Sequence, residues 1–341
     1  MKAAVTSAAA VMTLPSCDSL VFDGEGDCAP VYSLRFKFTN NVLDADAFGS
    51  QVTDIHVAVY DKEGNLLFTQ ADRRAPTEEN EYRMPVDLRP GTYDIIAWCG
   101  GTPLTADAVA FALRGQAVHD HISVSGAFFE PQGTDGNRYF QSDIAPLYYG
   151  RIEDVTCSEN DYGSIDLPSI SLTKDTNNII VMLQNLSDSP LDASLLTFSI
   201  EAENSALDWK NDLTAAEPAF DYHPWSVEPV SASEVSDSRA GMPNGVKTEF
   251  TTGRLFADHE QRLVVTRNDT GEEIISIPLI EYLLLVRGNY AHAVSAQDYL
   301  DRVDSYSLVF FMDENGDWIK SRVLINGWRV VPPQQDTLTR N

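Results

Sequence analysis

The chain has 341 residues, of which 51 are acidic and 24 basic, giving a formal charge of −27. A surface of that sign is repelled by nucleic acid and by anionic lipid headgroups, which excludes phosphate-driven nucleic-acid binding and charge-driven membrane attachment. The length suffices for about two domains with sizeable cores.

Met1 to Cys17 opens the chain with one basic residue, Lys2, followed by an uncharged, Ala-rich run from Ala3 to Leu14. That run is too short to span a bilayer and reads as a secretory signal. Leu14 lies three residues before Cys17, and the small Ser16 lies just before it, the arrangement of a lipoprotein cleavage site. Residues 1–16 are therefore expected to be removed and Cys17 to carry lipid. Residues 17–30 are acidic and contain Gly24-Glu25-Gly26-Asp27, as in a flexible tether. Gly24 to Ala29 also fits a G-x-G-x-x-A fingerprint, but no strand precedes it, and Glu25 and Asp27 would repel a phosphate.

Tyr32 to Thr39 alternates apolar and polar residues, as a half-buried strand does. Asp44 to Gln51 allows a short helix. Ile55, Val57 and Val59 lead through Asp61-Lys62-Glu63-Gly64 to Leu66–Phe68, a hairpin. Tyr82 to Leu88 and Tyr93 to Trp98 are extended runs around Pro90-Gly91, the second ended by Gly100 and Gly101. Ile122 to Phe129 and Ile152 to Val155 are further strand candidates. The polar segment Glu159 to Asp166 suggests a domain boundary, with one unit over 31–163 and another over 164–333.

In the second half Ile179–Leu183, Leu196–Ile200, Leu263–Thr266 and Glu273–Ile277 read as strands, and Glu228 to Gly245 as a surface loop. Ile274 to Val286 is the most apolar stretch, but Pro278 and Glu281 interrupt it and it is shorter than the roughly 20 residues of a membrane helix. Ser295 with Asp298 resembles a capping box for a helix carrying Tyr299, Leu300 and Val303. Finally Tyr306 to Met312 turns at Asp313-Glu314-Asn315-Gly316, and Trp318 to Val331 returns before Pro332-Pro333 and a polar tail, 334–341. Many short strands with regular turns make the chain all-β, in sandwiches.

No G-x-S-x-G elbow, P-loop or H-E-x-x-H motif is present, so no catalytic or cofactor-binding residues are assigned. His119 and His121 would share a face on a strand, but they read as a solvated loop pair, not as metal ligands. Asp313, Asn315 and Asp317 resemble the start of a calcium loop, yet Leu324 stands where such a loop needs glutamate. A hairpin turn is the better account, and no metal is expected. With Cys17 lipidated, Cys28, Cys99 and Cys157 allow at most one disulfide, whose pairing stays open. Trp98 and Trp328 lie in apolar strands and are expected in the core; Trp209 and Trp225 lie near polar segments, where an exposed ring could stack on glycan.

Leu14 to Cys17, Leu34-Arg35-Phe36-Lys37-Phe38, Val59-Tyr60-Asp61-Lys62-Glu63-Gly64, and the run from Leu88 through Pro90-Gly91 to Trp98 together resemble the fimbrial anchor subunits of Bacteroidales type V pili. So do Leu147-Tyr148-Tyr149-Gly150, Leu172 to Asn177, Tyr299-Leu300-Asp301 and Ile325-Asn326-Gly327-Trp328, in the expected order along the mature chain. Pro15 and Cys99 depart from the pattern. The resemblance implies two transthyretin-like β-sandwich domains in tandem and no enzymatic activity. It also implies a protein held at the outer membrane by lipid on Cys17, whose partner is a fimbrial shaft subunit joined by β-strand exchange. The candidate joining strand is Arg322, Val323, Leu324, Ile325, Asn326, Gly327, Trp328, Arg329, Val330 and Val331. The alternative is a surface glycan-binding lipoprotein using exposed aromatic rings.

Overall fold

The computed structural model describes residues 30–114, 126–134, 136–187, 190–214, 218–230, 244–290 and 295–330. Cys17, Cys28, His119, His121, Val331 and the polar tail lie outside them.

The alternation beginning at Tyr32 does bury one face, but the run is two strands. Val31–Leu34 ends at Arg35 and Phe36–Lys37 follows in a different sheet, so the chain crosses from one layer to the other within four residues. Val31–Leu34 lies between Met84–Val86, antiparallel, and Ser164–Asp166, parallel. The facing sheet runs Phe36–Lys37, Ile170–Lys174, Leu147–Cys157, Gly91–Gly101, Val52–Asp61, Leu66–Arg73. Tyr32, Leu34, Met84, Ile55, Ile95 and Leu172 fill the layer between them. The strand Gly91–Gly101 ends on Gly100 and Gly101, as expected. Met84–Val86 and Gly91–Gly101, read as neighbours around a Pro-Gly turn, sit in opposite sheets.

A second pair of sheets packs around its own core. One runs Glu273–Pro278, Arg262–Arg267, Leu196–Ala202, Phe220–Tyr222, Asn137–Phe140, Gln132–Thr134. The other runs Ser226–Val230, Gly245–Gly253, Thr176–Asn185, Ser305–Met312, Trp318–Ile325, Trp328–Val330. Ile179, Val181, Phe198, Ile200, Leu263 and Leu308 lie between them. A small sheet of Ala112–Arg114, Gly126–Phe128 and Ala206–Leu207 bridges the two bodies: its Ala127 and Leu207 join Ile96 and Trp98 in a third apolar cluster. Ile95 to Cys99 is continuously apolar because both faces of that strand are covered.

Strand pairing does not follow the expected division at 163/164. Ser164–Asp166 and Ile170–Lys174 complete the first pair of sheets, while Gln132–Thr134 and Asn137–Phe140 belong to the second. The polar segment near 160 is a turn within the first body, and composition cannot tell which sheet the next strand will join. Pro278 divides the apolar run Ile274–Val286 into the end of a strand and the helix Leu279–Leu284, which the sequence reading missed. The helix Ala296–Arg302 is capped as expected, Asp298 N–H donating to Ser295 Oγ at 3.0 Å. Asp44 to Gln51 is helical only over Phe48–Gln51. The segment read as a loop from Glu228 to Gly245 is bounded by the paired strands Ser226–Val230 and Gly245–Gly253. Cys99 and Cys157 are both buried free thiols.

The chain passes directly from the first body to the second at Asp175, between the strands Ile170–Lys174 and Thr176–Asn185. Its side chain is fully buried. Asn211 Nδ2 donates to its Oδ1 at 2.8 Å, the Arg254 guanidinium lies 3.7 Å from the same oxygen, and Oδ2 has no partner. Arg254 is itself held by Asp301 through two 2.9 Å bonds, and Lys174 Nζ reaches Asp304 at 2.6 Å.

Two predictions arise from this packing. A methyl group at Gly150 would lie 2.5 Å from Ile170 Cγ2 and 2.7 Å from the Ser171 carbonyl oxygen. Gly150→Ala is therefore expected to lower stability by about 1–3 kcal/mol in urea denaturation. Burial pushes the Asp175 carboxyl up to about 7, against the opposing pull of Arg254 and Asn211. A carboxyl whose folded pKa exceeds its unfolded value holds its proton more tightly when folded, so its contribution to stability is lost as pH rises through about 7. The fall in thermal midpoint between about pH 5.5 and 8 should be smaller in Asp175→Asn than in the parent, because the general acidic self-repulsion is common to both.

Candidate joining edge

Ser305–Met312 buries Tyr306, Leu308, Phe310 and Met312, pairs in parallel with Thr176–Asn185, and turns at Asp313. The Asp313 carboxylate accepts the backbone N–H groups of Asn315 and Asp317, each at 2.9 Å, and Gly316 takes the left-handed conformation at φ 78°. The Asp317 N–H in particular holds that carboxyl below the usual range. The calcium-like spacing is thus accounted for by a turn whose acceptors are already engaged by backbone. Asp61 repeats the device, receiving the Asn65 N–H at 2.8 Å with Gly64 at φ 81°. A third copy, Asp208 to Asp212, escaped the sequence reading because Asn211, at φ 68°, replaces the glycine.

The sequence reads as one returning run over Trp318 to Val331, with Arg322 to Val331 as its candidate joining part. Its described part is a hairpin instead: Trp318–Ile325, then Asn326 and Gly327 at φ 49° and 78°, then Trp328–Val330 folding back. Asn-Gly is the pair that supplies two successive positive φ values, so the signal was in the sequence. Ile325 opposes Trp328, Leu324 opposes Arg329 and Val323 opposes Val330.

Directly opposed residues point to the same face of a sheet. Val323, Ile325 and Val330 are buried on the core side, and Trp328 shares that side yet is 53% exposed, contrary to the expectation of a core residue. The edge strand carries it past the apolar layer. On the opposite face, Arg322 stacks 4.6 Å above the Phe311 ring, and Leu324 and Arg329 continue outward. Among the described residues, no strand pairs along the outer side of Trp328–Val330.

The other aromatic candidates are engaged. Trp98 is buried, as expected. The Trp209 ring has the Arg151 guanidinium 4.8 Å and the Lys210 ammonium 4.9 Å from its centre, so its faces are occupied by cations. Trp225 Nε1 donates to Thr251 Oγ1 at 3.1 Å. A cleft of about 720 Å³ is lined by Asp212, Arg254, Phe256, Asp258, His259 and Gln297 among others. His259 Nδ1 lies 2.9 Å from the adjacent Asp258 carboxylate.

The contrast within the hairpin is measurable. Ile325→Ala should cost about 2–5 kcal/mol in denaturant unfolding. Trp328→Ala, at an exposed edge, should change stability by less than about 1 kcal/mol.

Comparison with known proteins gives this architecture its context. The family described as fimbrillin-A associated anchor proteins Mfa1 and Mfa2 matches residues 25–332. The minor fimbrium anchoring subunit Mfa2 of Porphyromonas gingivalis is 22% identical over 333 residues, covering 93% of this chain and 90% of the relative. A candidate adhesin from Bacteroides thetaiotaomicron has the same fold with a TM-score of 0.73 and 28% identity, over 88% of this chain and 97% of the other. The fimbrial anchor protein Mfa2 of Porphyromonas gingivalis superposes with a TM-score of 0.62 at 17% identity, over 89% and 99% of the two chains. The match along nearly the whole strand-built body makes this chain a member of the fimbrillin-A associated anchor protein family.

Proposed function

We propose that this protein is the non-enzymatic terminal subunit of a pilus, fixing the fibre to the outer membrane through lipid on Cys17 and joining a shaft subunit by strand pairing. The family match over residues 25–332 carries this reading. The leader fits the same role: residues 1–16 act as the signal and residues 17–30 as the tether, leaving two transthyretin-like sandwiches to bear the fibre. The sandwiches need no metal or cofactor for this work. A highly acidic surface gains nothing from anionic lipid, so attachment depends on acyl chains, each buried methylene contributing about 0.8 kcal/mol.

The Arg322 to Val330 hairpin is the element we assign to joining. Among the described residues no strand pairs along its outer edge, and its Trp328 ring is exposed. Main-chain hydrogen bonds to an added strand supply affinity there, and side-chain alternation supplies selectivity. Of the rings considered for the glycan-binding alternative, Trp209 is covered by Arg151 and Lys210 and Trp225 is tied to Thr251, which leaves Trp328 as the exposed indole.

Cys17→Ala should move folded protein from the outer-membrane fraction to the soluble fraction, with pili shed into the medium. Full retention of the variant in the membrane would contradict the anchor reading.

A further inference from the structure

We propose that the outer face of the sheet running from Ser226–Val230 to Trp328–Val330 is a contact between two copies of this chain, related by a two-fold axis parallel to its strands. Strand register places the residues. Glu228 opposes Lys247, Lys247 opposes Met182, Met182 opposes Val309, Val309 opposes Leu324 and Leu324 opposes Arg329, so one row of side chains crosses six strands on a single face. Val181, Leu308, Phe310 and Ile325, adjacent in sequence or one rung away on the other face, are buried in the core. The row therefore points outward.

Its middle is apolar, whereas the solvent face of such a sheet is ordinarily polar. Ile180 and Phe311 extend the strip into the rows on either side. Ile180, Met182, Val309 and Leu324 are half-buried and belong to none of the three apolar clusters. The facing sheet of the same body shows the contrast: its outer rows include Thr197 with Thr266, Glu201 with Arg262, and Ser199 with Val264 and Ser276. A contiguous apolar strip on a chain of charge −27 marks a surface that another molecule covers.

Charge identifies that molecule as a second copy. On one side of the strip lie Glu228 and Glu249, around Lys247, which bonds to Glu249. On the other lie Arg329 and Arg322, the latter stacked on Phe311, and neither arginine forms a salt bridge among the described residues. A two-fold axis between Thr176–Asn185 and Ser305–Met312 carries the acidic side of each copy over the basic side of the other and sets Met182 against Val309 twice. Turning one copy end for end would instead oppose Glu228 to Glu228 and Arg329 to Arg329, so the charges select the orientation. The contact is isologous and closes on itself, which gives a dimer and not a fibre.

Six strands about 4.8 Å apart and three rows of side chains bury roughly 500 Å² per copy, near the lower limit of a specific interface. A dissociation constant of about 10–100 μM follows for the protein in solution. On the anchor reading, both chains are tethered to one membrane, and the raised effective concentration makes so weak a contact sufficient.

The test is sedimentation equilibrium of the purified full chain over a roughly hundredfold range of concentration, which should show a monomer passing to a dimer. Val309→Glu puts like charges beside the axis and should weaken the dimer at least tenfold, with the fold checked by the thermal midpoint of the dilute protein. Glu228 and Arg329 are exposed, so reversing them leaves the fold intact even where Val309→Glu does not. Glu228→Arg should weaken the dimer about tenfold although it makes the chain less acidic, Arg329→Glu should weaken it similarly, and the two together should restore it. A chain that stays monomeric throughout, a dimer indifferent to both single reversals, or a double reversal that remains monomeric overturns the proposal. Each of those results leaves the anchor reading untouched, because that reading is decided by the membrane fractionation of Cys17→Ala.

Discussion

Everything in the molecule turns on how one chain crosses between two sandwiches at a single buried carboxyl. Lys174 ends a strand of the first body and Thr176 begins a central strand of the second, so Asp175 allows no linker between them. A carboxyl removed from water must be paired and hydrogen-bonded to be tolerated. Its partners, Asn211 and Arg254, come from the second body, while its own N–H donates to the Leu147 carbonyl of the first at 2.8 Å. Asp301, on the helix Ala296–Arg302, fixes Arg254 in turn, and Arg302 of the same helix pairs with Asp44 of the first body. The orientation of the two sandwiches is thus set by a connected ionic network as well as by the apolar cluster around Trp98 and Leu207.

That coupling suits a load-bearing role. On the proposed role, tension entering near the first strand, Val31–Leu34, would be spread through sheets in which long antiparallel neighbours such as Gly91–Gly101 and Leu147–Cys157 share many rungs. It then passes the Asp175 junction into Thr176–Asn185, which is flanked by Gly245–Gly253 and Ser305–Met312. The C-terminal hairpin extends the same sheet outward, so the proposed joining element is continuous in hydrogen bonding with the central strand at the junction. A fibre held there pulls on the sheet and not on a loose segment.

Much of this could be read from the residues. Period-two burial marked the strand at Tyr32, the Asp-x-x-Gly turns at Asp61 and Asp313 were correctly read as hairpins, and Ser295 marked its helix. What escaped has identifiable causes. Strand exchange between sheets at Arg35 leaves no local trace, because both halves keep the same alternation. The boundary near 160 failed because pairing of Ser164–Asp166 with Val31–Leu34 is long-range, and a polar turn carries no information about it. Trp328 was placed in the core because apolar neighbours signal a strand, whereas exposure depends on whether that strand lies inside or at the margin of its sheet. Asn326-Gly327 was overlooked although both residues have the turn chemistry, since the surrounding run is apolar enough to pass for one strand.

The position of the protein along the fibre tests the account most directly. Immunogold labelling of a tagged chain on intact cells, read by electron microscopy, should place the label once per pilus at the cell-proximal end. Label repeated along the shaft, or confined to the free tip, would contradict it.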